Sequence, residues 1–434
     1  MIAVYAVISI FVGISVFKQN YLSGIIVFLL FCYSFFSLLG YALFPEKLKL
    51  VSHGQYYGEE YFYPFAMYLI VFMAFVGLFY GVFRSAKGHI VSESVRIKLN
   101  YRQSLFYVVI ACLIFFPGIM IARNVNLASY YGQSLLKSNK LWSFSYGFLG
   151  IICIVLILLV IKEWKENHVI NKIYVVLSIV SFGILLLTAI RFGQRIQLFE
   201  LMTGIIVILL ELYAAKIIGV KSKGFAKHVL VIVFICVLFV IVMQIIRDNR
   251  GGEIGISNVI PTIQSLVASI TTIEYWVFQD WLSPGLSLLT CIRYGIIEPS
   301  TVLATDFLNL FSFLTGHSYS VTDSIKIMFD RQTETGYGYF FATEGYQLIG
   351  KMGCVLSAFL INVYLWIYKI VFDVKGDAYL KALLNGVVGF YAIAFVRGTS
   401  LFFLKGILFY IIPCLVLYAL ATGKGILIKI EKKG

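Results

Sequence analysis

The chain alternates long apolar runs with short polar breaks. The runs fall near 1–17, 20–44, 64–83, 105–122, 143–161, 172–190, 196–215, 228–246, 346–368, 378–396 and 399–420. At 1.5 Å of rise per residue, roughly 20 apolar residues cross a hydrocarbon core about 30 Å thick. The pattern therefore predicts an all-α polytopic membrane protein with about 11 transmembrane helices. The first run lacks a basic leader and a small-residue cleavage site, so it reads as a span and not as a signal peptide.

One interval breaks the rhythm. Residues 247–345 form a large non-spanning segment that opens with "RDNRGGEIG" and contains moderately apolar stretches near 257–273, 282–297 and 300–315, interrupted by Pro261, Pro284 and Pro299. These read as short helices lying on or dipping into the outer face, or as a crossing pair. No repeat, low-complexity tract or heptad run divides the chain, so residues 1–434 read as a single membrane domain.

Composition removes a soluble alternative: 60% of residues are hydrophobic and 13% charged, with a mean hydropathy of +0.92. Charge then sets orientation, because short cytoplasmic loops retain Lys and Arg. Lys18, 84–104, 161–173, 216–227, 369–381 and the C-terminal tail carry 20 basic residues, and the alternate segments carry 13 despite including the longest one. The N-terminus is expected outside and the C-terminus inside. Splitting by type adds more: the inner side has 17 Lys and 3 Arg, and the outer side has 5 Lys and 8 Arg. Topology needs only positive charge. An outer excess of Arg suits a ligand that rewards a planar bidentate fork, such as phosphate or carboxylate, although snorkelling to lipid phosphates or pairing with outer acids would also hold individual arginines there.

Common cofactor signatures are missing. "GYGYFFATEG" at 336–345 has scattered glycines but no preceding strand and no Gly-Lys-Ser/Thr. His53, His89, His168, His228 and His317 are isolated, with no metal-ligand spacing. Six of the seven cysteines lie in or at the ends of apolar runs and only Cys291 lies in an outer segment, so no disulfide framework is implied. No cofactor and no nucleic-acid partner is expected.

What remains is a constellation at the outer side. In "TAIRFGQRIQ", Arg191 and Arg195 are four apart, so a helix through both would place them on one face. The seventh run starts beside them with the positive end of its dipole outward, which suits an anion. Arg397 in "FVRGTS", Arg247, Arg250 and Arg123 belong to the same layer. Glu344, Glu334 and Asp330 close the large segment beside Tyr337, Tyr339 and Tyr346, a mix that suits sugar binding and deprotonation of a hydroxyl, or an interfacial aromatic belt with paired acids. Glu200 and Lys405 lie within runs and should face the interior, where they could pair.

The chain resembles the O-antigen polymerases (Wzy), a family that includes polymerases of capsule and enterobacterial polysaccharides. The whole-length pattern of spans with one late outer segment is similar, and three motifs carry the likeness. "RFGQRIQ" resembles a Gly-x-Arg signature through Gly193 and Arg195. "EGYQLIGKMG" resembles Glu-x-Tyr-x-x-Phe-Gly-x-x-Gly through Glu344, Tyr346, Gly350 and Gly353, with Ile349 in place of Phe, and "VRGTS" resembles a late Arg motif through Arg397. The resemblance implies a GT-C-like helical fold and a metal-independent glycosyltransferase of the bacterial inner membrane. Its implied reaction, at the periplasmic face, moves a growing glycan from undecaprenyl pyrophosphate to a lipid-linked repeat unit. A chain-length regulator in the same bilayer is an implied partner. On this reading Arg191, Arg195 and Arg397 bind the donor pyrophosphate, with Arg123, Arg247 and Arg250 as helpers or acceptor-phosphate contacts. Glu344 is the candidate base, His317 a second candidate, and Tyr337, Tyr339 and Tyr346 contact sugar. An O-antigen ligase shares this architecture and donor, and a flippase or transporter of lipid-linked sugars is the non-catalytic alternative.

Overall fold

The computed structural model describes residues 1–47, 58–83, 89–96, 102–123, 140–192, 196–218, 264, 268–269, 271–277, 282–310, 339–372, 374–375, 377–401 and 406–431. Within these, helices occupy the described part of every apolar run except 228–246, which lies outside them. The body runs α1 (Ile2–Phe17), α2 (Tyr21–Leu43), α3 (Phe62–Phe83), α4 (Arg102–Arg123), α5 (Lys140–Asn167), α6 (Lys172–Phe192) and α7 (Ile196–Ala214). It continues with α8 (Ile273–Val277), α9 (Leu282–Tyr294), α10 (Pro299–Leu310), α11 (Phe341–Ile349), α12 (Gly353–Phe372), α13 (Ala378–Val396) and α14 (Ile412–Thr422).

Four helical segments among the described residues are long and apolar enough to cross a membrane: Tyr21–Leu43, Glu59–Phe83, Phe341–Lys369 and Ala378–Val396. Their flanks are apolar as well as their cores. Phe11, Phe28, Met67, Leu78, Val108 and Ile179 all stand half or more exposed on helix surfaces, as lipid-facing residues do and water-facing ones do not. Caps match the sequence where polar residues flank the runs. Asn20 accepts from the Ser23 amide at the start of α2, Asp377 accepts from the Tyr379 and Leu380 amides at the start of α13, and Gly423 (φ 67°) ends α14 in the left-handed conformation.

The element that all-α patterning leaves out is a three-stranded sheet, β2–β1–β3, made of β1 (His89–Arg96), β2 (Val374–Lys375) and β3 (Lys424–Glu431). β1 runs parallel to β2, and antiparallel to β3 from His89 opposite Glu431 to Arg96 opposite Lys424. Each strand comes from a Lys- and Arg-bearing interval that charge counting had put on one side. The pairing holds three such intervals, the first of them hundreds of residues before the other two, at a single end of the helical body.

At the centre lies α13, buried along nearly its whole length and packed mainly on α7. The two approach through small residues. A Cβ added at Gly204 would meet the Gly386 carbonyl oxygen at 2.9 Å, and one at Gly389 would meet the Thr203 carbonyl oxygen at 3.4 Å. These pairings run in opposite senses along the two chains, so α7 and α13 are antiparallel. The start of α7 therefore lies beside the end of α13, away from the sheet.

The ninth run is not one continuous helix. α11 stops at Ile349, Gly350 turns the backbone at φ 66° and ψ −138°, and a single 3-10 turn leads into α12. Eight residues along a straight helix span about 12 Å, yet a Cβ on Gly345 or on Gly353 would overlap the backbone of the other. α11 thus folds back against the start of α12 as a short helical hairpin. The glycines of "EGYQLIGKMG" serve this crossing and the turn between its arms.

Candidate functional site

α11 is enclosed on all sides. Residues Phe341 to Gln347 are buried, and three neighbours fix the short helix by its backbone or side chains. Tyr68 of α3 donates its hydroxyl to the Ala342 carbonyl (2.8 Å), the Glu298 amide donates to the Gln347 carbonyl (2.8 Å), and Ser287 of α9 meets Thr343 at 2.9 Å between hydroxyls. The last two contacts come from the large outer segment. α9 does not lie on a surface: Leu282, Leu286, Leu288 and Leu289 are buried, Ser37 of α2 donates to the Leu282 carbonyl (3.3 Å), and the missing side chain of Gly285 leaves room for Ser37. Among the described helices of this segment, α9 packs inward, and α10 keeps Leu303 and Phe307 exposed while burying Val302 and Asp306.

Glu344 points from α11 toward the segment that follows α13. Its carboxylate accepts from the Ser400 amide (2.7 Å) and the Ser400 hydroxyl (2.5 Å). Ser400 opens the final helical stretch, so the acid caps a helix N-terminus, where a negative charge is stabilised. Two motifs more than fifty residues apart, "EGYQLIGKMG" and "VRGTS", thereby close on each other by direct hydrogen bonds. A second carboxylate joins them. Asp306 of α10 is 1% exposed, interacts with Glu344 and Thr399, and has neither oxygen in a well-formed hydrogen bond. Burial pushes its carboxyl up to about 6, opposed by Thr399 and Glu344.

One member of the arginine layer, Arg397, lies three residues before Ser400. Arg397 ends α13, its amide bonded to the Ile393 carbonyl at 3.0 Å, and its guanidinium is the charged neighbour of buried Glu200 near the start of α7. Arg397 is a charged neighbour of Glu200 because antiparallel packing of α7 and α13 sets these two helix ends side by side; the expected pairing of Glu200 with Lys405 falls on a residue outside the described ones. Arg191 falls in the last turn of α6, five residues before α7 begins, and Arg123 ends α4, whose 22 residues lead away from the sheet end by about 33 Å. The backbones of Arg123, Arg191 and Arg397 therefore share the end of the molecule that carries Glu344. Arg195, Arg247, Arg250, His317 and Tyr337 lie outside the described residues, so the shared helical face of Arg191 and Arg195 does too.

Tyr339 and Tyr346 are not an interfacial belt. Both are buried: Tyr339 donates its hydroxyl to Gln347 Oε1 (2.6 Å), and Tyr346 packs edge-on against Tyr68 with ring centroids 5.7 Å apart. Tyr346 also lines a groove of about 460 Å³ between α3, α9 and the α11–α12 hairpin, walled by Met67, Tyr68, Ile292 and Cys354, with Glu60 and Lys351 at its exposed rim. Tyr346 is two positions along α11 from Glu344, so the groove and the carboxylates sit on opposite sides of that helix. Among the described residues no three His, Cys, Asp or Glu side chains gather as a metal-ligand set.

Sequence reading missed Asp306 and the role of Ser400. Ser400 stood inside a quoted motif, three residues after Arg397. Asp306 had one signal, being the only acid within the apolar stretch 300–315. Compared with models of protein families, with curated proteins and with solved structures, the chain matches none.

Proposed function

We propose that this chain is a polysaccharide polymerase of the bacterial inner membrane. It crosses the bilayer about eleven times with its N-terminus periplasmic, in a GT-C-like arrangement, and transfers a growing glycan from undecaprenyl pyrophosphate to a lipid-linked repeat unit at the periplasmic face. The observation that carries this reading is the hydrogen-bonded closure of Glu344 on Ser400, three residues from Arg397. It brings a buried carboxylate to the end of the body where the backbones of Arg123, Arg191 and Arg397 lie.

That combination suits the chemistry. The acceptor hydroxyl oxygen forms a bond to the anomeric carbon of the donor sugar, and the bond from that carbon to the pyrophosphate oxygen breaks. The hydroxyl proton goes to a base, and the departing pyrophosphate carries the electron pair. Fixed guanidinium donors aimed at the leaving group stabilise the charge as it develops, and a carboxylate in hydrogen-bond reach takes the proton. The transfer is metal-independent in this reading. Apolar grooves such as the one beside Tyr346 suit the hydrocarbon of the carrier.

The test is a surface-polysaccharide gel ladder from a strain deleted for the gene, complemented with wild type or with Arg397→Ala at matched membrane levels. A polymerase predicts single repeats on the lipid A core in the deletion, a ladder restored by wild type, and a collapsed ladder with the variant. Full-length chains stranded on the carrier lipid would make the protein a ligase. An intact ladder in the deletion would end the reading.

A further inference from the structure

α10 is built the wrong way round for an ordinary surface helix. It exposes Leu303 (54%) and Phe307 (59%) and buries only Val302 and Asp306 among its described side chains, one turn apart on a single inward stripe. A helix that turns apolar groups toward lipid and a carboxylate toward the protein has made that carboxylate its one polar investment in the interior. The groups that face it are Glu344 on α11, Tyr339 just ahead of α11, Tyr364 on α12, and the hydroxyl of Thr399. No described Lys or Arg makes an ion pair with either carboxylate. Two adjacent buried carboxylates with no ion pair among the described residues resist ionising together.

We propose that Asp306 and Glu344 form a single proton-sharing pair, in which Asp306 is a positioning residue that sets when Glu344 accepts the proton of the acceptor hydroxyl. The proposal rests on the polymerase reading for its chemistry and on the buried geometry for its protonation. Before transfer the pair holds one proton and one negative charge. As the hydroxyl O–H bond breaks and its oxygen bonds the anomeric carbon, the proton moves to the pair, which becomes doubly protonated and neutral. A buried site favours that neutral product, and the negative charge leaves with the pyrophosphate. Ser400 keeps Glu344 oriented through both of its donors.

The experiment is infrared difference spectroscopy of the full-length protein in lipid nanodiscs across pH, together with the pH profile of polymer formation by cells or membranes carrying each variant. A wild-type minus Asp306→Asn spectrum should contain a protonated-carboxyl band at neutral pH, Glu344→Gln should remove the same band, and Asp306→Glu should retain it. With Asp306→Asn the acid limb of polymer formation should move to lower pH by about one unit or more, and Asp306→Glu should restore the wild-type limb. An even loss of yield at every pH would make Asp306 merely structural and would overturn the proposal. So would a carboxyl band insensitive to both Asp306→Asn and Glu344→Gln. If the band behaves as expected while wild type makes no polymer, the pair stands and the polymerase reading falls. If wild type polymerises and neither the band nor the pH profile responds to Asp306→Asn, the reverse holds.

Discussion

Two buried polar clusters sit at opposite ends of α13, and they are built on different terms. At the sheet end, Lys162 of α5 lies over the rings of Tyr379 (5.5 Å) and Tyr418 (5.3 Å) and donates to the Tyr418 hydroxyl (3.3 Å). That hydroxyl donates in turn to Asp377 (3.3 Å), whose other oxygen caps α13. A cation and an anion are linked here through one hydroxyl, and each of these groups has a use inside the fold. At the far end, Glu344 and Asp306 share an enclosure with no described cation in an ion pair, and both Asp306 oxygens lack a well-formed hydrogen bond. Buried polar groups are ordinarily satisfied. A cluster that is satisfied locks helices together, and one left short of partners is poised to exchange a proton with something that enters.

Four changes would break or sharpen this contrast, taken from the largest effect down. Glu344→Gln keeps the shape of the far cluster and removes its base, so polymer formation should fall about 10³-fold at unchanged protein level, read from ladder intensity in complemented cells. A wild-type ladder would reduce Glu344 to a helix cap. Arg397→Ala removes one donor from the arginine layer and should cost about 10²-fold by the same measurement, with thermal stability little altered. A fall in stability that matched the loss of product would mean that Arg397 serves chiefly to neutralise Glu200.

The sheet-end cluster should behave in the opposite manner. Lys162→Met strands the Tyr418–Asp377 contact and gives up the cation over two rings, which should cost about 1–3 kcal/mol of stability. Thermal unfolding in detergent would show it, and polymer yield per folded molecule should not change. A selective loss of polymer at unchanged stability would place function at the wrong end. The smallest effect concerns pH. Asp306 is raised in the fold, to about 6 from an ordinary value of about 3.9, so the protonated form is the one the fold favours. Its contribution to stability is fully present below about pH 4 and is lost as pH rises through about 6. The melting temperature of wild type should therefore drop between pH 5 and pH 8 by more than that of Asp306→Asn. Equal drops would mean that Asp306 is hydrated in solution.

Much of this molecule was legible along the chain because the relevant information is local. Apolar run length placed the helices, and the bias of Arg over Lys pointed to one end. The glycines of "EGYQLIGKMG" stood out as a motif, but their use did not: nothing local says that Gly345 and Gly353 touch and not simply succeed each other along a helix. Likewise "VRGTS" was singled out for Arg397, when its Ser400 makes the bond that joins the site. Hydropathy placed Glu200 in the interior, and only the antiparallel register of α7 on α13 chose Arg397 as its neighbour.

By itself, then, the sequence determined the helical membrane architecture, the basic intervals that share a side and the chemical types concentrated in the alternate segments, because each follows from composition and periodicity within about twenty residues. Tertiary structure alone decided that β1, β2 and β3 meet in one sheet, that α11 folds back on α12, and that Asp306, Glu344 and Ser400 converge. Such meetings depend on how helices pack face to face, and the energy that selects one packing over another is spread across many contacts that no short stretch of sequence contains.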